Sequence, residues 1–263
     1  MAGVLYDRIG QGYNSTRRPD PTIIAALANA VRCGPGQHLL DAACGTGNYT
    51  LALPRGGASV SGVDASAVML GAARTRSSTV AWVQAHVEWL PFASASFDAI
   101  TCVNAVHHFG DVERAFAEFH RALKRGGRLA IFTNTAEQVL AFWVARYFPR
   151  AVAEAAARCI PEARFAWLGE QSGLALTDRL AWQQPRDPVD FFLYCGKHRP
   201  ELYLDPAIRA GISTFASASD AAEIEQGVAR LRQDIASGAI AETLRQAACS
   251  EEDYSIFVYE RAA

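Results

Sequence analysis

Apolar and polar positions along the first half of the chain alternate between two rhythms. Short apolar runs at 38–43, 58–63, 80–84, 97–103 and 128–133 have the length and make-up of buried strands. Between them, 66–74 carries Val68, Met69, Ala72 and Ala73 at helical spacing, and 111–124 carries Val112, Phe116, Phe119 and Leu123 in the same way. Asp111 suits the N-cap of the second helix, and Lys124-Arg125-Gly126-Gly127 suits its end. Strands alternating with helices predict a parallel sheet covered on both faces.

Beyond Asn134 the rhythm changes. Residues 136–159 are rich in Ala and aromatics and predict helix, broken near Pro149. A strand is expected at 174–183, irregular chain at 185–206, helices at 221–235 and 239–248, and a closing strand at 254–260. There is no internal repeat and no low-complexity linker. One doubly wound α/β domain with an insertion is therefore expected.

Composition narrows the function. The 263 residues hold 25 Lys+Arg against 27 Asp+Glu, a net charge of -2 that gives a phosphate backbone no general attraction. No apolar run approaches the ~20 residues of a membrane span, and the opening residues, with Asp7 and Arg8, do not read as a signal peptide. The six Cys form no CxxC pair, so reduced thiols in a cytoplasmic protein are expected, with no metal site. A small-molecule partner is the expectation that remains, with neither nucleic acid nor membrane.

The chemistry gathers in the strand–turn–helix at 41–47. Gly45 and Gly47 let a ligand approach the backbone, and the helix start after them offers free N–H groups. Asp64 follows the second strand about 20 residues on, where a carboxylate can accept from both hydroxyls of a ribose. An adenosine-containing ligand is expected. A dinucleotide fits poorly, because its fingerprint wants a small third residue where Thr50 stands, and the acidic Asp41 at the start of the turn suits a cationic ligand better than a pyrophosphate.

These residues resemble the class I S-adenosylmethionine-dependent methyltransferases of the "type 11" branch. Leu39-Leu-Asp-Ala-Ala-Cys-Gly-Thr-Gly47, Gly62-Val-Asp64-Ala-Ser66, Glu88-Trp-Leu-Pro-Phe92, Val106-His107-His108 and Leu123-Lys-Arg-Gly126-Gly127 stand in the family's order, over about half the chain. The resemblance implies a Rossmann-like seven-stranded doubly wound sheet with a helical cap or lid. It implies a cap at 1–34, a cofactor-binding core at 35–135, a lid for the acceptor at 136–218, and closing helices and strand at 219–263. S-adenosyl-L-methionine is the implied cofactor and S-adenosyl-L-homocysteine the implied product. Asp41, Ala43, Gly45 and Gly47 would meet the methionine and ribose portions, Asp64 the ribose hydroxyls, and Ala65, His86 and Val87 the adenine. Asn104 would lie at the methionine end, with Tyr13 and Arg17 closing the site. His86 stands where the family usually has Asp; neutral His can still accept one hydrogen bond.

Methyl transfer mainly needs an acceptor held in line with the methyl group, and a base only if the acceptor must lose a proton. His107 and His108 are the candidates for that base. For the acceptor, the unusual stretch at 191–206 offers Tyr194, Lys197, His198, Arg199 and Tyr203 as a lid presenting polar groups. The function expected is methyl transfer to a small molecule on O, N or C. A different displacement on the same cofactor, and cofactor binding without catalysis, stay open.

Overall fold

A computed structural model describes residues 13–53, 57–247 and 252–263. Seven strands form one sheet: β1 (His38–Ala42), β2 (Ser59–Asp64), β3 (Ala81–Gln84), β4 (Phe97–Val103), β5 (Leu123–Thr133), β6 (Leu174–Trp182) and β7 (Tyr254–Arg261). Their order is β3-β2-β1-β4-β5-β7-β6. The first five are parallel, and β7 runs antiparallel to both β5 and β6. β1 and β4 are nearly continuous apolar runs because both of their faces are covered. β6 is mostly exposed, and charged residues such as Asp178 and Arg179 mark it as a protected edge.

Two apolar clusters lie on opposite faces. On one, α1 (Pro21–Val31) packs across β4, β5 and β7 through Ile23 and Leu27. On the other, α2 (Ala67–Arg76) covers β2 and β3, while α3 (Val112–Ala122) lays Phe116 and Phe119 against Tyr259 and the sheet. Asp111 caps α3 by accepting from Arg114 N (2.9 Å), and Ser66 caps α2 by accepting from Met69 N (3.2 Å).

The stretch at 136–159 breaks twice rather than once. A short helix (Ala136–Ala141) and a 3₁₀ turn (Trp143–Arg146) precede α4 (Pro149–Arg158), in which Pro takes the first helical position where its missing N–H costs nothing. α5 (Glu162–Ser172) then leads into β6, so the region expected as a lid supplies an edge strand of the sheet. α6 (Ala221–Ser237) packs on the segment around Tyr203. Tyr147, Phe148, Phe192, Tyr194 and Tyr203 are buried in the same core as α1. Among the described residues no helix is long and apolar enough to cross a membrane.

Candidate functional site

Strand order turns around between β1 and β4: the chain runs from β1 outward to β3, then crosses back to β4. Ligands of open α/β sheets bind at such a switch point, outside the carboxyl ends of the strands. A cavity of about 840 Å³ opens there. Its floor is made by residues at or just beyond the ends of β1, β2, β3 and β4: Ala43 and Gly45, Asp64 and Ala65, Ala85 to Val87, and Asn104. His107, His108, Phe109 and Gly110 form its far wall, and Arg158 and Ser217 close it from α4 and beyond.

Three backbone conformations shape this floor. Ala43 (φ 56°), Gly45 (φ 55°) and Asn104 (φ 50°) are all left-handed. At Ala43 and Asn104 that conformation costs energy that the surrounding fold must offset, and such positions cluster where the backbone itself meets a ligand. A Cβ built on Gly45 would meet nothing within 4 Å, so the turn leaves an open cradle facing the cavity. The Asp64 carboxylate accepts from Gly45 N and Ser66 N, each at 2.8 Å, and so holds the turn while bordering the cavity. Carboxylate oxygens keep lone pairs beyond those two bonds.

Glu88 is buried and accepts from Gly110 N (2.8 Å), fastening the far wall to the end of β3. Trp89 lines the cavity mouth 66% exposed, with the Arg114 guanidinium 4.1 Å above its ring. The rings of His107 and His108 lie 4.0 Å apart. Desolvation and the nearby Arg158 push His108 down to about 4; desolvation, then His108 and Arg158, hold His107 well below the ordinary imidazole range. Both are neutral near pH 7. Nδ1 of His107 is buried and makes no hydrogen bond.

The structure redistributes several of the expected roles. Ala43, Gly45, Asp64, Ala65, His86, Val87, Asn104, His107 and His108 all border the cavity. Gly47 does not. It is a buried left-handed N-cap (φ 76°), and a Cβ there would stand 2.4 Å from Cη2 of Trp82. Its small size makes room for the Trp82 indole.

Asp41 is also behind the floor. It accepts from the Thr50 hydroxyl (2.5 Å) and the Thr101 hydroxyl (3.1 Å), and burial pushes it up to about 6. Thr50, which spoils the dinucleotide fingerprint, is therefore the group that holds Asp41.

Arg17 lines a second, smaller chamber rather than the cavity, and its Nε donates to Asp190. Asn14 and Arg17 still dock the N-terminal segment on the glycine turn. The Thr46 hydroxyl donates to Asn14 Oδ1 (2.7 Å) and Asn48 Nδ2 to the Arg17 carbonyl (3.1 Å). Tyr13 opens a short helix, but its side chain lies outside the described residues, as does the part of the expected cap at 1–12.

None of the five expected acceptor residues at 194–203 reaches either cavity. The hydroxyl of Tyr194 donates to the Gln138 carbonyl (2.5 Å), and that of Tyr203 donates to the Leu193 carbonyl and accepts from Gly196 N. Lys197 forms a buried ion pair with Asp253 (2.8 Å). His198 is half-buried and Arg199 pairs with Glu201 at the surface. The aromatics that looked like a lid are wedged into the core, and they carry their polar groups to internal partners.

Arg158 and Trp89 also border the cavity. Trp89 sits inside the Glu88–Phe92 stretch, so its position was marked; Arg158 comes from α4 and carries no local motif. Among the described residues no cluster of His, Cys, Asp or Glu could hold a metal ion.

Comparison with known proteins completes the picture. Residues 40–131 match the family described as a methyltransferase domain. A solved structure from Anabaena variabilis, of a protein proposed to be a methyltransferase of an antibiotic biosynthesis pathway, is 30% identical. Its TM-score is 0.83, over 93% of this chain and 98% of that one. The 2-phytyl-1,4-naphtoquinone methyltransferase of Nostoc sp. is 39% identical over 106 residues, 37% of this chain and 46% of that protein. The demethylmenaquinone methyltransferase of Corynebacterium kroppenstedtii is 35% identical over 132 residues, 48% of this chain and 57% of that protein. The chain thus spans about half the length of the curated relatives it matches.

Proposed function

Because the chain belongs to the class I S-adenosylmethionine-dependent methyltransferases, we propose that it moves a methyl group from that cofactor to a small-molecule acceptor in the cavity at the β1–β4 switch point. The observation that carries this reading is the conjunction of the open Gly45 cradle with Asp64 at the cavity's edge and two neutral imidazoles on its far wall. The groups at the cavity fit the cofactor: a carboxylate for a diol, the left-handed backbone of Ala43, Gly45 and Asn104 for an amino-acid end, and the small side chains of Ala65 and Ala85 for an aromatic base.

S-adenosyl-L-methionine, when bound, supplies an electrophilic methyl carbon on a positively charged sulfur. Asp64 would orient the ribose through charged hydrogen bonds. Ala65, His86 and Val87 would border the adenine, and Asn104 would bring its backbone to the methionine end. The far wall would hold the acceptor in line, which is the main catalytic requirement of a displacement. Glu88, by accepting from Gly110 N, would hold that wall in place. An acceptor that must lose a proton can give it to a neutral imidazole of His107 or His108. Bases held this far down are weak near pH 7, and an acceptor acidic enough to ionise by itself needs neither of them.

The proposed acceptor is a small molecule rather than nucleic acid. The net charge of -2 and the Asn104-Ala105-Val106-His107 sequence at the end of β4 support that choice. Scattered cysteines without a disulfide framework support a cytoplasmic setting. The test is incubation with methyl-labelled cofactor and a panel of acidic phenols, quinols and carboxylic acids. Transfer of label with release of S-adenosylhomocysteine supports the proposal. Release of methylthioadenosine would identify a different displacement, and the absence of any acceptor-dependent turnover would contradict catalysis.

A further inference from the structure

Behind His107 lies a second chamber of about 30 Å³, room for roughly two water-sized groups. Asn104, His107 and Arg158 border both it and the main cavity, so the two spaces adjoin along these residues. Two of its polar atoms have no partner: Nδ1 of His107 and the hydroxyl of Tyr254. Tyr254 is wholly buried, stacked on Phe132; the Tyr194 backbone lies nearby but not in hydrogen-bond geometry. An unmatched buried hydroxyl destabilises the fold, and a fold keeps such a group where something else supplies the partner.

The other polar lining combines the neutral Asn104, Asn134, Ser213 and Thr214 with two cations, Arg158 and Arg17. Arg158 reaches the Ser217 hydroxyl (3.0 Å) and forms no ion pair with a carboxylate among the described residues. Arg17 contributes a second guanidinium, tied to Asp190. A tyrosine hydroxyl, a guanidinium and a neutral imidazole can all donate hydrogen bonds. No acidic side chain lines the chamber.

We propose that this chamber receives a carboxylate carried by the acceptor, bound by the Tyr254 hydroxyl, the Arg158 guanidinium and Nδ1 of His107. A planar carboxylate matches the fork of a guanidinium. The acceptor is then a small carboxylic acid whose charged end lies in the chamber while the rest of the molecule extends into the cavity. The chamber sets specificity; it adds no chemical step. This inference rests on the proposed function for its meaning but not for its test.

The test is calorimetric titration of the full chain with benzoate and, separately, benzamide, which has the same shape without the charge. Cofactor-free protein is used, and S-adenosylhomocysteine is titrated in a parallel experiment. Benzoate is expected to bind at least about tenfold more tightly than benzamide, the effect of a charged hydrogen-bonded group. Tyr254→Phe and Arg158→Gln are each expected to weaken benzoate by about five- to tenfold. Tyr254→Phe, which removes only an unbonded hydroxyl, is expected to leave S-adenosylhomocysteine affinity unchanged and to raise the unfolding midpoint rather than lower it. No benzoate binding at millimolar concentration, equal binding of benzamide, or indifference to both substitutions would overturn the proposal and leave the chamber as a site for water. Loss of S-adenosylhomocysteine binding with benzoate binding intact would count against the proposed function alone.

Discussion

Replacing Gly47 by Ala tests what the second glycine of the turn is for. The new methyl group would stand 2.4 Å from Cη2 of Trp82 and 3.1 Å from Cζ3, well inside contact distance. Forcing that contact costs about 1–3 kcal/mol, the range for an overpacked core. The left-handed φ of 76° adds about 1–2 kcal/mol for a residue with a Cβ. Part of this is offset by about 0.4–1 kcal/mol, because Ala has less freedom than Gly in the unfolded chain.

Gly47→Ala should therefore destabilise the protein by about 2–4 kcal/mol. With Trp82→Leu already in place the steric part falls away, and the same change should cost only about 1 kcal/mol. Urea unfolding of the four proteins closes the cycle, with equal m-values as the check that the denatured state is unchanged. A coupling below about 0.5 kcal/mol would mean that Trp82 is not what Gly47 makes room for, and the reasoning would fail.

Three further outcomes follow from the polar interior. Asp41 has a folded pKa of about 6 against an ordinary 3.8, so between those values the folded state binds its proton more tightly than the unfolded chain. Its contribution to stability therefore falls as pH rises through that window, by about 3 kcal/mol in all; Asp41→Asn should gain that much over the parent above pH 6.5 and almost nothing near pH 3.5, and a difference independent of pH would contradict this. Lys197→Ala leaves Asp253 buried without its cation and should cost about 3–5 kcal/mol in chemical denaturation, with S-adenosylhomocysteine affinity unchanged; a folded, equally stable variant would return Lys197 to the acceptor. With His108 at about 4 and His107 also depressed, both bases stay neutral above about pH 5, so kcat/KM on an acceptor that does not itself titrate should hold from pH 8 down to 5 and fall only toward 4; half-loss near 6.5 would exclude both as the base.

Much of this architecture was legible in the chain. The five strands of the first half follow from apolar runs. Asp111 caps its helix as its position before Val112 suggests, and the closing strand at 254 is read from its own pattern. Local motifs at the ends of β1, β2 and β4 likewise give the cavity floor, since each motif is the strand end itself. The illegible parts depend on contacts between distant segments. Gly47 resembles a ligand-facing glycine until Trp82, on β3, is seen to occupy the space beside it. Lys197 and Tyr203 look like a polar lid because nothing near them in sequence reveals Asp253 or the Leu193 carbonyl as internal partners. Arg158 and Tyr254 meet at one chamber from α4 and β7, and neither carries a local signature.

The most direct measurement of the central claim is calorimetric titration of the purified chain with S-adenosylhomocysteine, repeated on Asp64→Ala. The account predicts one site of micromolar affinity in the parent. In the variant it predicts binding weakened by about 1–3 kcal/mol, the loss of charged hydrogen bonds to the ribose. Unchanged affinity in a folded Asp64→Ala protein would contradict the ribose assignment, and tight binding of NAD in place of S-adenosylhomocysteine would contradict the methyltransferase reading itself.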